Sequence, residues 1–128
     1  MEKKKILVVD DDEIVILAYK RELEELGYDV ITVMNGFDAV EIIKKEAIPL
    51  VFVDLILPRM NGVEICKKIK EISPSTQVVL VSGHPTEVRE FQKDFLMSGG
   101  RDEILRKPLL EDELGHIAKK VFDEIEKK

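Results

Sequence analysis

The sequence is poor in several residue types that mark common protein classes. It contains one cysteine, Cys66, no tryptophan, and an aromatic fraction of only 5%. One cysteine cannot form an internal disulfide, so we expect Cys66 to be a small buried side chain in a reducing compartment. Lysine and arginine form no basic block interleaved with aromatics, and the net charge is −6. Nucleic-acid binding by this domain is therefore not expected.

Long hydrophobic runs are also absent. The apolar run that follows the N-terminal lysines covers only residues 6–9, which is too short for a signal peptide or a membrane span. We therefore predict a cytoplasmic protein that has no membrane partner.

The residues that are present suit one folded domain over residues 1–128, because 45% are hydrophobic and 36% are charged. Short β-branched runs recur along the chain. They cover residues 5–9, 29–33, 50–54, 77–82 and, more weakly, 103–107. The middle runs are almost wholly apolar, as expected for strands that are buried on both faces of a parallel sheet.

Five amphipathic stretches alternate with these runs and predict helices. Gly27 is expected to end the first helix, and Asn35-Gly36 is interpreted as a cap leading into the second rather than as a hairpin turn. The apolar positions are Ile16, Tyr19, Leu23 and Leu26; Ala39, Val40, Ile43 and Ala47; Ile65, Ile69 and Ile72; a less clear stretch over 85–97; and Leu110, Leu114, Ile117, Val121 and Ile125. Glu111 to Glu113 are placed in the first turn of the last helix and Lys127-Lys128 at its end, which suits the helix dipole.

Alternating strands and helices of this number predict an α/β fold. We expect a single doubly wound (βα)5 flavodoxin-like domain, with a parallel five-stranded sheet in the order 2-1-3-4-5. Ligands of such folds bind at the carboxyl ends of the strands, at the switch point between strands 1 and 3.

Polar residues follow the predicted strands at this edge. Asp10 and Asp11 end the first run, Asp54 ends the third, Ser82 the fourth and Lys107 the fifth. Three carboxylates in one place raise one another's pKa or require a cation, and an all-oxygen set favours Mg²⁺, with Mn²⁺ as an alternative. Such a site suits a phosphoryl group, and Asp54 has the chemistry to be its nucleophile, because carboxylates form acyl phosphates.

Four segments carry a resemblance to a known family: "VVDDDE", "LVFVDLILPRMNG", "VVLVSGH" and "LRKPL". In this order they resemble the receiver (phosphoacceptor) domain of two-component response regulators, over about the whole chain. The resemblance implies that Asp54 is phosphorylated. It also implies that Asp10, Asp11 and Asp54, with the backbone carbonyl of Ile56, hold Mg²⁺, and that Ser82 and Lys107 contact the phosphoryl group.

The resemblance implies a signalling module rather than an enzyme, with only weak self-phosphorylation and autodephosphorylation. Its expected phosphodonor is a sensor histidine kinase, a phosphotransfer protein or a small acyl phosphate. Its expected output is a downstream protein or a self-dimer through helix 4, strand 5 and helix 5. The peptide bond from Lys107 to Pro108 is often cis in this family. Gly62, in the loop 58–62, is expected to give backbone freedom.

Three features depart from the family pattern. Ile104 stands where receivers usually carry the aromatic residue that rotates on activation. The segment from Ser82 to Lys107 is longer than usual, and Ile56 and His84 occupy the two positions that tend to set the lifetime of the phosphate. Nearby, Asp12 is expected to be the N-cap of helix 1, with Glu13 in its first turn.

Three alternative functions share part of this pattern. A metal-dependent phosphohydrolase with an aspartyl nucleophile usually has a second acid two residues after the nucleophile, where this chain has Ile56. An FMN binder would need a phosphate-binding loop after strand 1, where this chain has four acids. A degenerate receiver that acts only as a scaffold stays open because of Ile104.

Overall fold

The computed structural model describes residues 3–127. Five strands and five helices alternate along the chain. They are β1 (Lys5–Val9), α1 (Glu13–Glu25), β2 (Asp29–Val33), α2 (Gly36–Lys45), β3 (Leu50–Asp54), α3 (Gly62–Ile72), β4 (Gln77–Ser82), α4 (Pro85–Met97), β5 (Ile104–Arg106) and α5 (Glu113–Glu126).

The strands form one parallel sheet in the order β2-β1-β3-β4-β5. This confirms the predicted fold class and strand order. Because all strands run the same way, their carboxyl ends meet at one edge. The direction in which successive strands are added to the sheet reverses between β1 and β3, which makes this the topological switch point.

Two apolar layers cover the sheet, because successive strand residues point to opposite faces. One layer joins alternate strand residues such as Leu7 and Val51 to α2, α3 and α4, and includes Phe95. The other joins Ile6 and Phe52 to α1 and α5. The helices therefore hold the strand ends in fixed positions.

Predicted helix starts and stops are largely confirmed. The side chain of Asp12 accepts the Ile14 amide at 2.9 Å, and that of Asn35 accepts the Asp38 amide at 2.9 Å. Gly27 follows the C-cap of α1 and has a φ of 97°. This left-handed conformation favours glycine and ends the helix, as predicted. Cys66 is fully buried in α3, as expected.

Several predicted boundaries were wrong. β5 covers Ile104–Arg106 rather than 103–107, because its pairing with β4 is limited to these residues and Pro108 has no amide to continue the ladder. The last helix begins at Glu113, since Asp112 has a left-handed φ of 66° that no helix accommodates. Glu111 and Asp112 therefore precede the helix rather than form its first turn.

The exposed apolar residues follow from these boundaries. Leu110 is 75% exposed because it precedes α5, and Leu26 is 59% exposed because it caps the end of α1. Ala47 is exposed beyond the end of α2, and Ile72 lies partly exposed in the last turn of α3. Lys127 caps the end of α5, and Lys128 lies outside the described residues.

Within residues 3–127, every helix is too short or too polar to cross a lipid bilayer.

Candidate functional site

The carboxyl edge of the sheet gathers the polar residues that the sequence placed there. Asp10 follows β1, Asp54 ends β3 and Ser82 ends β4. Lys107 follows β5, and its amide still donates to the Ser82 carbonyl at 2.9 Å. The apolar strands thus deliver these side chains to one point from distant parts of the chain.

Lys107 is at the centre of this cluster. Its Nζ lies 2.7 Å from Asp10 Oδ2 and 3.3 Å from Asp54 Oδ2. Asp10 and Asp54 are buried, at 2% and 6% exposure. Asp10 also accepts the Asp12 amide through Oδ1 at 3.0 Å. One ammonium therefore bridges two buried carboxylates whose strands lie side by side.

The electrostatics of Asp54 show that the cluster is short of positive charge. Burial raises the pKa of the Asp54 carboxyl, and Asp10 raises it further, although Lys107 and the Ile56 amide oppose this. One oxygen, Asp54 Oδ1, is buried and has no hydrogen-bond partner among the described residues. A buried acceptor without a donor is costly and calls for an explanation.

Lys107 responds to the same surroundings in the opposite sense. Burial lowers the pKa of its ammonium, but the hydrogen bond from Lys107 to Asp10 and the charges of Asp54 and Asp10 outweigh burial and raise the pKa overall. The lysine is therefore positively charged at neutral pH. It compensates one carboxylate and leaves the others without a counter-charge.

Asp11 completes the acidic group from the solvent side. Its side chain is exposed, and one oxygen from each of Asp10, Asp11 and Asp54 lies within 4.8 Å of the others. Three carboxylate oxygens are the ligand type that a hard divalent cation requires, and the same Asp54 carboxylate has a buried oxygen without a donor among the described residues. The residues therefore fit Mg²⁺ on their donor set and on the unsatisfied Asp54 Oδ1.

Ile56 reaches the site through its backbone. Its amide faces the Asp54 carboxylate, while its side chain is 38% exposed. The resemblance to receiver domains implied a role for the Ile56 carbonyl in holding Mg²⁺, and that role stays a prediction.

Ser82 is buried, and its Oγ accepts the His84 amide at 3.0 Å. His84 precedes α4 and its own side chain makes no capping bond to that helix. The serine hydroxyl therefore contacts the residue that precedes α4, while Ser82 itself ends β4 at the carboxyl edge of the sheet.

The loop after Asp54 contains two features that the sequence did not reveal. Arg59 has a left-handed φ of 65°, and the Met60 amide donates to the Pro58 carbonyl at 2.7 Å. A Cβ at Gly62 would lie 2.8 Å from the Asp54 carbonyl oxygen. Gly62 is therefore required for the close approach of α3 to β3, not for the backbone freedom that we expected.

Tyr19 is a neighbour of the site that sequence reasoning assigned only to the helix stripe. Burial raises the pKa of its phenol to about 12, with the charge of Lys107 lowering it and those of Asp10 and Asp54 raising it. Its place on the inner face of α1 was readable from spacing, but its proximity to the site was not.

The peptide bond between Lys107 and Pro108 is cis. Together, the fold and the site define a doubly wound α/β domain with an acidic, lysine-containing pocket at its topological switch point.

Comparison with known proteins identifies this class. Residues 6–119 match the response regulator receiver domain, and the chain belongs to that family. Receiver domains are signalling switches rather than dedicated enzymes.

Two solved structures and one curated relative illustrate the similarity. A CheY-like receiver domain from Methanospirillum hungatei JF-1 has a TM-score of 0.88 and 28% identity, covering 99% of this chain and 100% of that one. The response regulator TrrA from Thermotoga maritima, solved in complex with Mg(2+)-BeF, has a TM-score of 0.79 and 28% identity, covering 92% and 98%.

The alkaline phosphatase synthesis transcriptional regulatory protein PhoP of Bacillus subtilis (strain 168) is 33% identical over 105 residues. The match covers 82% of this chain but only 42% of PhoP. The chain therefore spans less than half the length of that relative.

Proposed function

We propose that this receiver domain is a phosphorylation switch in which Asp54 is the phosphoacceptor. The observation that carries the proposal is the contact of Lys107 Nζ with both Asp10 and Asp54 beside an unsatisfied Asp54 oxygen. Such a pocket combines a carboxylate nucleophile with a fixed cation for the phosphoryl oxygens.

Asp10, Asp11 and Asp54, with the backbone carbonyl of Ile56, are the residues that would hold Mg²⁺. When bound, the metal supplies positive charge that stabilises phosphoryl oxygens. The relative TrrA was solved with Mg(2+)-BeF, which supports the same use of the acidic group here. Mn²⁺ has the same preference for oxygen ligands and is an alternative.

The proposed reaction transfers a phosphoryl group from a phosphohistidine on a sensor kinase or phosphotransfer protein, or from a small acyl phosphate. A carboxylate oxygen of Asp54 bonds to phosphorus as the donor bond breaks. With phosphohistidine, the imidazole leaves with the bonding electron pair and takes up a proton. Lys107 and Ser82 bind the oxygens of the transferred group. Water later attacks phosphorus and releases inorganic phosphate, which restores the carboxylate.

The output is a shift between two conformations of the face formed by α4, β5 and α5. Ser82 supplies a route to this face, because its hydroxyl already holds the His84 amide at the start of α4. Movement of Ser82 toward a phosphoryl group would change that contact. This route needs no aromatic side chain at position 104, where this chain has isoleucine. A downstream protein or a second copy of the chain would read the change.

The first test is incubation with acetyl phosphate and Mg²⁺, followed by intact mass measurement. Wild type should gain one phosphoryl group that is lost in base, and Asp54→Ala should gain none. Asp102→Ala is the matched control, because Asp102 is an exposed aspartate outside the cluster. Equal labelling of wild type and Asp54→Ala would place the acceptor elsewhere.

Lys107→Ala separates a switch from a scaffold. The variant should fold, yet lose phosphorylation or its readout, measured as a change in the NMR spectrum of α4 on labelling. A wild-type response would make Lys107 a bystander. A wild-type chain that never accepts phosphate would favour the scaffold alternative, and turnover of phosphate monoesters would favour the phosphohydrolase.

A further inference from the structure

The junction between α1 and the start of α5 is a close contact. A Cβ at Gly115 would lie 2.6 Å from Leu26 Cδ1, so the start of α5 lies close to the end of α1, and a larger residue at position 115 would require the exposed Leu26 side chain to move. Asp112 precedes α5 with a left-handed φ, and its side chain does not cap the helix. The Glu113 amide donates to the Leu110 carbonyl at 3.1 Å, whereas the next amides of α5, those of Leu114 and Gly115, receive no capping bond from Asp112.

Glu22 of α1 faces this junction. The Gly115 amide points at its carboxylate and stabilises the charged form. One oxygen, Glu22 Oε2, is buried and has no hydrogen-bond partner within residues 3–127. The carboxylate is thus held against the start of α5 with only part of its hydrogen-bonding capacity used.

The charges around Glu22 are mostly of its own sign. Asp112 and Glu111 face it from the turn before α5, and Glu25 faces it from α1. Burial raises the pKa of the Glu22 carboxyl, Asp112 raises it further, and Glu111 and Glu25 add to this, while the Gly115 amide opposes them. Ionised Glu22 therefore repels the turn that it contacts.

The remaining groups at this junction do not neutralise Glu22. The Tyr19 phenol lies one turn earlier on α1, and the charge of Glu22 raises its pKa. Lys20, Arg21 and Glu24 line the cleft between α1 and the turn. In the described part of the chain neither cation forms an ion pair with Glu22.

We propose that Glu22 is a proton-sensitive brace between α1 and α5, which packs the two helices more tightly when its carboxyl is neutral than when it is ionised. A neutral carboxyl keeps an oxygen for the Gly115 amide and gains an O–H that faces the acids of the turn. Because α5 begins a short turn after Lys107, a tighter junction also restrains the segment that carries this lysine. The brace does not depend on the phosphoacceptor role.

The test variant is Glu22→Gln, which keeps the carbonyl acceptor and replaces the charge with an amide donor. Glu24→Gln is the matched control, because it removes the same charge from an exposed position on the same helix. At neutral pH, Glu22→Gln should raise the Tm by about 3 °C relative to Glu24→Gln. The Gly115 amide should also exchange its hydrogen more slowly in Glu22→Gln at the same pH.

The pH dependence identifies the cause. A raised pKa means that the folded chain binds more protons than the unfolded chain between 4.5, the ordinary value, and the raised value. Wild type therefore loses stability as pH rises through that window. The advantage of Glu22→Gln should be full above the window and disappear below 4.5.

Asp112→Asn supplies a second check, because asparagine tolerates a left-handed φ. In that background the Tm gain of Glu22→Gln should fall by about half, as expected for coupled neighbours. A Glu22→Gln that matches Glu24→Gln at every pH would overturn the proposal. So would a gain that neither pH nor Asp112→Asn alters, since this would reflect packing of the glutamine. The same differences are expected in an Asp54→Ala background.

Discussion

Two ionic clusters at opposite ends of the sheet use similar residues and differ in their charge balance. At the carboxyl edge, Lys107 is shared by Asp10 and Asp54. At the amino edge, before β5 begins, Arg101 holds Glu103 through two hydrogen bonds of 2.9 Å. Both clusters join separate strands, but only the first has more acid than cation.

The amino-edge cluster is saturated with donors. Glu103 also contacts Lys120 Nζ at 2.9 Å, and Arg101 donates to Gln77 Oε1 at 2.9 Å and to Glu124. The hydrogen bonds from Arg101 lower the pKa of the Glu103 carboxyl to about 2, with burial opposing and Lys120 assisting. Among the described residues, no buried side-chain atom of this cluster lacks a hydrogen-bond partner, as in a cluster that stabilises the fold.

The carboxyl-edge cluster has the opposite signature. Burial raises the pKa of Asp54, and one of its oxygens lacks a donor. A deficit of positive charge, rather than the presence of ion pairs, therefore distinguishes a site that can take up a cation from a structural network.

The largest effect is expected at the saturated cluster. Arg101→Ala should lower the free energy of unfolding by about 2–4 kcal/mol, because it leaves the mostly buried Glu103 without its bidentate partner. Urea denaturation would measure it. Lys119→Ala is the control, since it breaks an exposed pair with Asp123 that is worth about 0.3–0.5 kcal/mol. Similar losses in the two variants would remove the distinction between a buried network and a surface pair.

Mg²⁺ should act at the other cluster. In millimolar Mg²⁺ we expect a gain of about 1–3 kcal/mol, seen as a higher Tm, because the ion binds the folded acidic group and not the unfolded chain. Asp11→Asn should reduce this shift. Asp12→Asn should keep it, because the change in charge is the same and asparagine remains a good N-cap for α1. An unchanged Tm in wild type would count against the metal site.

The two clusters should also differ in the sign of the stability change that follows when one carboxylate charge is removed. Glu103→Gln and Asp54→Asn remove the same charge, yet the first should destabilise and the second stabilise the fold by about 1 kcal/mol without Mg²⁺. Glu103→Gln removes the negative charge that Arg101 and Lys120 bind. Asp54→Asn removes the cost of burying a charge and the repulsion between that charge and Asp10. Chemical denaturation of both variants would show it, and equal signs would mean that the two clusters do not differ in balance.

The pH dependence of Glu103→Gln completes this test. The lowered pKa of Glu103 gives stability that is present above 4.5, its ordinary value, and is lost as pH falls toward about 2. The wild-type and Glu103→Gln curves should therefore converge in acid. Curves that stay parallel down to the lowest pH at which both fold would assign the difference to packing.

The sequence predicted the sheet well because buried parallel strands are nearly pure apolar runs. The runs at 5–9, 29–33, 50–54 and 77–82 coincide with β1 to β4. The run at 103–107 was too long because pairing with β4 is limited to Ile104–Arg106 and Pro108 has no amide to continue the ladder. The start of α5 was misplaced because a left-handed Asp112 leaves no mark in the apolar pattern.

The site followed from the same logic and stopped at the same limit. Asp10, Asp54 and Lys107 were expected together because parallel strands share a carboxyl edge. The sequence predicted that the carboxylates raise one another's pKa, but it could not show that burial is the main cause of the raised pKa of Asp54 or that Ser82 contacts His84. These depend on distances that no spacing along the chain encodes.

The burial of Cys66 makes this chain convenient for labelling. Burial raises the pKa of its thiol to about 11, so the group stays protonated and shielded at neutral pH, and reagents that need a thiolate should pass it by. A cysteine introduced on the outer face of α4 would then be the one that reacts. With no tryptophan in the background, a fluorophore or spin label attached there would follow the motion of that helix in the otherwise unaltered protein.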